Sequence, residues 1–146
     1  MTFDWNRYLD LAKDLGGIGS DAARRSAVSR AYYFAFHVAD HYLKTNNVIL
    51  NPKYNRDRHL RVWNIYMDSV KKDCARLGNL GQRLKIARHD ADYDPDIAFS
   101  DTFVQKCISD AERLATGIAF HIPESFSAAP VSSSSFLMRL KRLLRF

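Results

Sequence analysis

The stretch AARRSAVSRAYYFAFHVADHYLKT, from Ala22 to Thr45, decides the fold class. It holds neither Gly nor Pro, and Ala27, Val28, Ala31, Phe34, Ala35, Val38, Ala39 and Tyr42 cover almost the whole circumference of a helix. A helix that is apolar nearly all round is buried on several sides. Its neighbours have to be other helices, because no segment of the chain alternates with a period of two for long enough to read as a strand. The expectation is an all-α, up-and-down bundle of four to five helices.

Upstream, Thr2 or Asp4 caps a first helix running to about Asp14, with Trp5, Leu9 and Ala12 on one stripe and Gly16-Gly17 as its stop. Ser20 or Asp21 opens the central helix. Downstream, Asn46 to Asn55, with Pro52, reads as a loop. Arg58 to about Lys72 places Leu60, Trp63 or Asn64, and Met67 at helical spacing. Leu80, Leu84 and Ala87 mark a fourth helix, interrupted near Gly78 and Gly81. It is expected to end before the turn Asp90-Ala91-Asp92-Tyr93-Asp94-Pro95, since the residue preceding a proline is pushed out of the α region. Ser100 caps a fifth helix with a stripe of Phe103, Cys107, Ala111, Leu114, Ile118 and Ile122.

The bundle is expected to occupy residues 1–122. Past Pro123 the composition changes: Glu124 to Ser135 holds six serines and Pro130, so residues 123–135 read as a flexible linker. The last segment, 136–146, is FLMRLKRLLRF. As a helix it sets Phe136, Leu137, Leu140, Leu143 and Leu144 on one side and Arg139, Lys141, Arg142 and Arg145 on the other. A basic amphipathic helix on a tether can lie on an anionic membrane, enter a partner's groove, touch nucleic-acid phosphates, or dock on its own domain or a dimer mate.

Over 146 residues, 22 Lys and Arg stand against 16 Asp and Glu, a net +6, with 47% hydrophobic residues, as in an ordinary globular chain. The start, MTFDWNRYLD, lacks the basic and apolar regions of a signal peptide, and no run approaches the ~20 apolar residues of a bilayer span. Cytoplasm is the expected compartment. Cys74 and Cys107 lack zinc-ligand spacing and are too few for a disulfide framework, so they read as reduced core residues. The charge is uneven. Residues 53–88 carry ten basic side chains against three acids, whereas 90–112 carry seven acids against Lys106 alone, so the sign reverses at Arg88/Asp90. The tail supplies four of the six net positive charges.

On the central helix Arg30, Phe34, His37 and His41 share a face. An Arg and two His on an apolar helix need polar partners or solvent. The nearest dense polar segment is Arg88-His89-Asp90-Ala91-Asp92-Tyr93, and Arg30 is expected to pair with Asp90 or Asp92. His37 and His41 stand one turn apart as helical metal ligands do, but Val38 occupies the place of the Glu in a zinc-protease motif. No metal and no cofactor is expected. The Gly pairs follow no strand, so no phosphate loop is read, and neither Cys has the context of a nucleophile. In the 88–93 segment an Arg can stabilise phosphate charge and a His can move protons, whereas a phenol is a poor base at neutral pH.

The run Arg24-Arg25-Ser26-Ala27-Val28-Ser29-Arg30-Ala31-Tyr32-Tyr33-Phe34-Ala35-Phe36-His37, followed far downstream by Arg88-His89-Asp90-Ala91-Asp92-Tyr93, resembles the HEPN family. It is most similar to the small prokaryotic members with an S-R-A-Y-Y helix and a late R-x-x-A-D-Y motif, and the resemblance covers residues 1–122. It implies a helical bundle that forms a homodimer, with two copies of the polar motif in a shared cleft that takes RNA or a nucleotide. Many members are metal-independent endoribonucleases, often toxins of toxin–antitoxin or defence systems beside a nucleotidyltransferase-like antitoxin. Others are catalytically inactive interaction subunits that bind such a protein or another partner.

Carried onto this chain, the resemblance makes Arg88 the catalytic Arg and His89 its polar neighbour. Tyr93 stands where the ribonuclease branch has its His. Arg30, Tyr33, His37, Asp90 and Asp92 would line the cleft, and His37 or His41 could bring an imidazole to Arg88. Outside the resemblance, the amphipathic pattern of the tail would have Arg139, Lys141, Arg142 and Arg145 face a partner or an anionic surface.

Overall fold

The computed structural model describes residues 2–48, 50 and 57–121 and arranges them as five helices: α1 Asn6–Gly16, α2 Asp21–Thr45, α3 Arg58–Met67, α4 Lys72–Tyr93 and α5 Asp101–His121. There is no strand among the described residues, and the chain is the expected all-α bundle. Cross-helix contacts give the directions. Trp5 meets His37 and Tyr8 meets Arg30, so α1 runs antiparallel to α2. Tyr32 meets Arg88 and Arg25 meets Ala91, so α4 also runs against α2. Asp57 bonds Lys85 while Met67 lies against Gly78, which sets α3 antiparallel to α4. The central helix is α2, with Ala27, Val28, Ala31, Phe34, Ala35, Val38 and Ala39 buried beneath its neighbours.

Local capping explains most of the boundaries. The Ser20 hydroxyl accepts the Ala23 N–H at 3.2 Å, the Asp57 carboxylate accepts the Leu60 N–H at 3.0 Å, and Ser100 accepts from Phe103 at 3.1 Å. Asp4 takes the Asn6 N–H at 3.0 Å ahead of α1, and the sharp reversal before α2 uses Gly19 at φ 84°.

Four boundaries or stripes differ from expectation. Helix α3 stops at Met67 rather than near Lys72, and a short link lets α4 begin at Lys72. Helix α4 is not interrupted at Gly78 and Gly81. Those glycines are where α3 crosses it: a Cβ at Gly78 would run into the Met67 backbone and Tyr66, and one at Gly81 into the Trp63 ring. Nor does α4 end before the polar segment, since Asp90 to Tyr93 form its last helical turn and the stop comes at Asp94, ahead of Pro95. On α5 the buried stripe includes Val104 and Ile108, while Phe103 stays 39% exposed and packs on Phe99 at 5.6 Å. Ile122, the linker 123–135 and the tail 136–146 with Arg139, Lys141, Arg142 and Arg145 lie outside the described residues.

Trp63, Tyr32 and Tyr66 are the largest fully buried side chains. Each polar tip has a partner, as buried aromatics require: Trp63 Nε1 donates to Tyr32 Oη at 3.2 Å, and Tyr66 Oη donates to the Ala39 carbonyl at 2.9 Å. Buried Asp40 accepts from Arg58 at 2.6 Å and pairs with Lys44 at 2.8 Å. Cys74 and Cys107 are buried free thiols, and burial pushes the Cys107 thiol up to about 11. Among the described residues no helix is long and apolar enough to cross a membrane.

Candidate functional site

The polar segment 88–93 is held by an arginine from another helix. The last carbonyls of any helix lack intrahelical partners, and α4 has no basic residue in its last turn to serve them. Arg25 of α2 does so instead. Its Nη1 donates to the carbonyls of Ala91 at 3.1 Å and Asp94 at 2.7 Å, and its Nη2 donates to those of Ile97 at 2.5 Å and Pro95 at 3.5 Å. Its Nε bonds Asp21 at 2.8 Å, and the guanidinium lies 5.3 Å from the Phe99 ring.

Above this clamp Arg88 points into a nest of aromatic rings. Its guanidinium lies 5.4 Å from the Tyr32 centroid, 5.7 Å from Tyr33 and 6.0 Å from Tyr93. The side chain is 11% exposed. Among the described residues its one ion pair is a long one, Nη1 to Asp92 at 3.6 Å, and its buried Nε has no hydrogen-bond partner there. Asp92 also accepts from the Ser29 hydroxyl at 3.3 Å. On the outer side of the turn His89 is 66% exposed, faces Asp90 at 3.9 Å and lies 5.1 Å from the Tyr93 ring. Tyr93 is 67% exposed.

Of the residues expected in a cleft, Arg88, Asp92, Tyr33 and Tyr93 are thus brought together. Arg30 is not paired with Asp90 or Asp92. Helix α1 lays Tyr8 over it, and its guanidinium sits 4.8 Å from Tyr8 and 5.2 Å from Tyr33 and donates to Ser29 at 3.4 Å. Arg88 and Ser29 occupy Asp92 instead.

His37 turns toward α1 and stacks on Trp5, centroids 3.3 Å apart and planes 13° from parallel. His41 lies a further turn along, with Nε2 3.3 Å from the Thr45 hydroxyl. The imidazole that joins the Arg88 group is His59, in the first turn of α3. Its Nδ1 hydrogen-bonds Tyr32 Oη at 2.6 Å, and its ring stacks on Phe36 at 3.9 Å and meets the edge of Tyr33 at 5.9 Å. Sequence reasoning missed it, although His59 stands one helical turn before Trp63 on the same buried face. Burial holds the Tyr32 phenol well above its usual range, against the Trp63 N–H and the Arg88 charge, so it stays protonated at neutral pH. Among the described residues no three His, Cys, Asp or Glu side chains gather as a metal site would require.

Burial lowers the pKa of three half-buried histidines, His37, His41 and His59, and pushes His37 down to about 4. The unfolded chain takes up these protons near pH ~6.5, whereas the folded chain resists them until lower pH. Their contribution is therefore complete above about pH 6.5 and is lost as pH falls, in the case of His37 toward about 4. For His37, discounting for its exposure, the loss is about 1 kcal/mol, or roughly 4 °C in Tm. Melting curves between pH 7.5 and 4.5 check this, and His37→Phe, which keeps a ring against Trp5, should flatten the profile.

Comparison with protein families, curated proteins and solved structures finds no match to this chain.

Proposed function

We propose that this chain binds RNA or a nucleotide at the C-terminal turn of α4, with Arg88 holding a phosphate. The observation that carries the reading is the state of Arg88. It is a nearly buried cation that, among the described residues, has an unpaired Nε and one long ion pair, set beside the exposed rings of His89 and Tyr93. Guanidinium groups bind phosphate oxygens in a planar fork, and exposed rings stack on bases. The resemblance to the HEPN family points the same way and adds the setting of a cytoplasmic toxin–antitoxin or defence system.

In the endoribonuclease form of this reading, the ribose 2′-oxygen attacks the adjacent phosphorus as the P–O5′ bond breaks, leaving a 2′,3′-cyclic phosphate and a 5′-hydroxyl; Arg88 steadies the phosphate and His89 moves the proton from the 2′-oxygen to the departing 5′-oxygen, so no metal is called for. Tyr93, a phenol, serves as a stacking surface. The test is binding and cleavage of tRNA or single-stranded RNA in EDTA. Arg88→Ala is expected to weaken binding by at least roughly tenfold, and Tyr93→Ala, at an exposed position, by about 1–3 kcal/mol. Binding that survives both substitutions overturns the reading, and cleavage that survives Arg88→Ala removes the enzyme.

One observation favours the catalytically inactive interaction subunit. Ile86, 53% exposed, and Tyr93 lie two turns apart on α4, an apolar pair suited to a second copy in a homodimer or to a nucleotidyltransferase-like partner. A stable complex with such a partner, without nuclease activity, would select it.

A further inference from the structure

Three consecutive residues at the start of α3 fasten it to two other helices. Asp57 pairs with Lys85 of α4 at 2.5 Å, Arg58 with the buried Asp40 of α2 at 2.6 Å, and His59 Nδ1 with Tyr32 Oη of α2 at 2.6 Å. The His59 ring also lies on Phe36, with centroids 3.9 Å apart and planes 27° from parallel. The cap of α3 needs only Asp57, which takes the Leu60 N–H, so the bond from Tyr32 to His59 serves something other than starting the helix.

Valence gives these hydrogen bonds a direction. An indole N–H only donates, so the Trp63 bond at 3.2 Å occupies a lone pair of Tyr32 Oη. Tyr32, which burial keeps protonated, still has its own proton to place, and His59 Nδ1 is there to accept it. The neutral imidazole therefore carries its proton on Nε2. With its oxygen held from two sides, the Tyr32 ring is fixed in place, and the Arg88 guanidinium lies over it at 5.4 Å from the centroid. Little else holds that guanidinium. Among the described residues its ion pair to Asp92 is 3.6 Å long and its buried Nε has no partner, so a shift of the Tyr32 ring is felt at Arg88. We propose that His59 is a positioning residue for Arg88: by accepting the Tyr32 proton in this tautomer it holds the ring under the guanidinium, and so sets where Arg88 meets a phosphate. The meeting with phosphate rests on the function proposed above, whereas the hold on Arg88 stands without it.

The test compares the full wild-type chain with His59→Phe, which keeps a ring on Phe36 but loses the acceptor, and His59→Asn, whose Oδ1 stands where Nδ1 stood. Nitrogen NMR of the wild-type His59 ring at neutral pH is expected to show the Nε2–H tautomer, and the Nδ1–H tautomer overturns the proposal whether or not a variant folds. Solvent exchange of the Arg88 Nε–H should be at least about tenfold faster in His59→Phe and return to within about twofold of wild type in His59→Asn, with the buried amides of α5 unchanged. An Arg88 rate that His59→Phe leaves alone, equal acceleration in both variants, or acceleration as large in α5 overturns it. Binding of single-stranded RNA in EDTA should weaken by at least about fivefold in His59→Phe and recover in His59→Asn. If Arg88 exchange responds as expected while Arg88→Ala leaves RNA binding intact, the hold of His59 on Arg88 is upheld and the RNA-binding function is what falls.

Discussion

Gly81→Ala is expected to destabilise the protein by about 2–3 kcal/mol and to lower its melting temperature by roughly 10 °C. Elsewhere in a helix the same substitution has the opposite sign, because alanine restricts the unfolded chain and stabilises by about 0.5–1 kcal/mol. At Gly81 a Cβ would overlap the six-membered ring of Trp63. That ring has nowhere to retreat. Trp63 is fully buried, its Nε1 is bonded to Tyr32 Oη, and Tyr32 is bonded in turn to His59. Helix α3 would have to move off α4 as a unit, taking Asp57 from Lys85 and His59 from the Arg88 group. Gly17→Ala is the control. An added Cβ there meets only the Asp14 carbonyl, at 3.5 Å, and the melting temperature should hardly change. Thermal unfolding followed by circular dichroism measures both, and a rise in the Gly81→Ala melting temperature would refute the close crossing.

Arg25→Met is expected to cost about 3 kcal/mol and to loosen the candidate site before the rest of the bundle. Hydrogen bonds from a charged donor contribute about 1.5–3 kcal/mol, and carbonyls left without a donor at a partly buried helix end add to the loss. Met keeps the length and the contact with Phe99 but removes the donors to Ala91, Asp94, Pro95 and Ile97. Amide exchange over residues 88–97 should accelerate at least about tenfold, while the middle of α2 keeps most of its protection. Arg25→Lys should recover little, because one ammonium cannot reproduce a fork that spans four carbonyls. Uniform acceleration over all five helices would show that Arg25 supports the bundle as a whole and has no local hold on the α4 terminus.

The all-α class was legible because α2 announces itself: twenty-five helical residues without Gly or Pro and with apolar side chains on nearly every side. The caps at Ser20 and Ser100 were legible for the same local reason. Gly78 and Gly81 were not, since a glycine pair three residues apart reads equally as a break or as a seat for a crossing helix, and only the position of Trp63 decides between them. The candidate site was half legible. Arg88, Asp92 and Tyr93 fall within six residues, so their proximity follows from sequence, whereas the partners of Arg30 and the arrival of His59 depend on where α1 and α3 pack. His37 misled because it shares a helix face with Arg30, yet one side of that face is covered by Trp5 and Tyr8.

The grip of Arg25 on the connection between α4 and α5 has a consequence for how the sequence can drift. Every atom it takes there is a main-chain oxygen. The residues that present them are an alanine, an aspartate, a proline and an isoleucine, which share no side-chain chemistry. In homologous chains the connection can therefore exchange most of its residues, provided its backbone follows the same path, while position 25 stays arginine. What residues 94–97 have to preserve is that path, which Pro95 helps to set by ending α4 and Asp94 by accepting the Asp96 N–H at 2.9 Å.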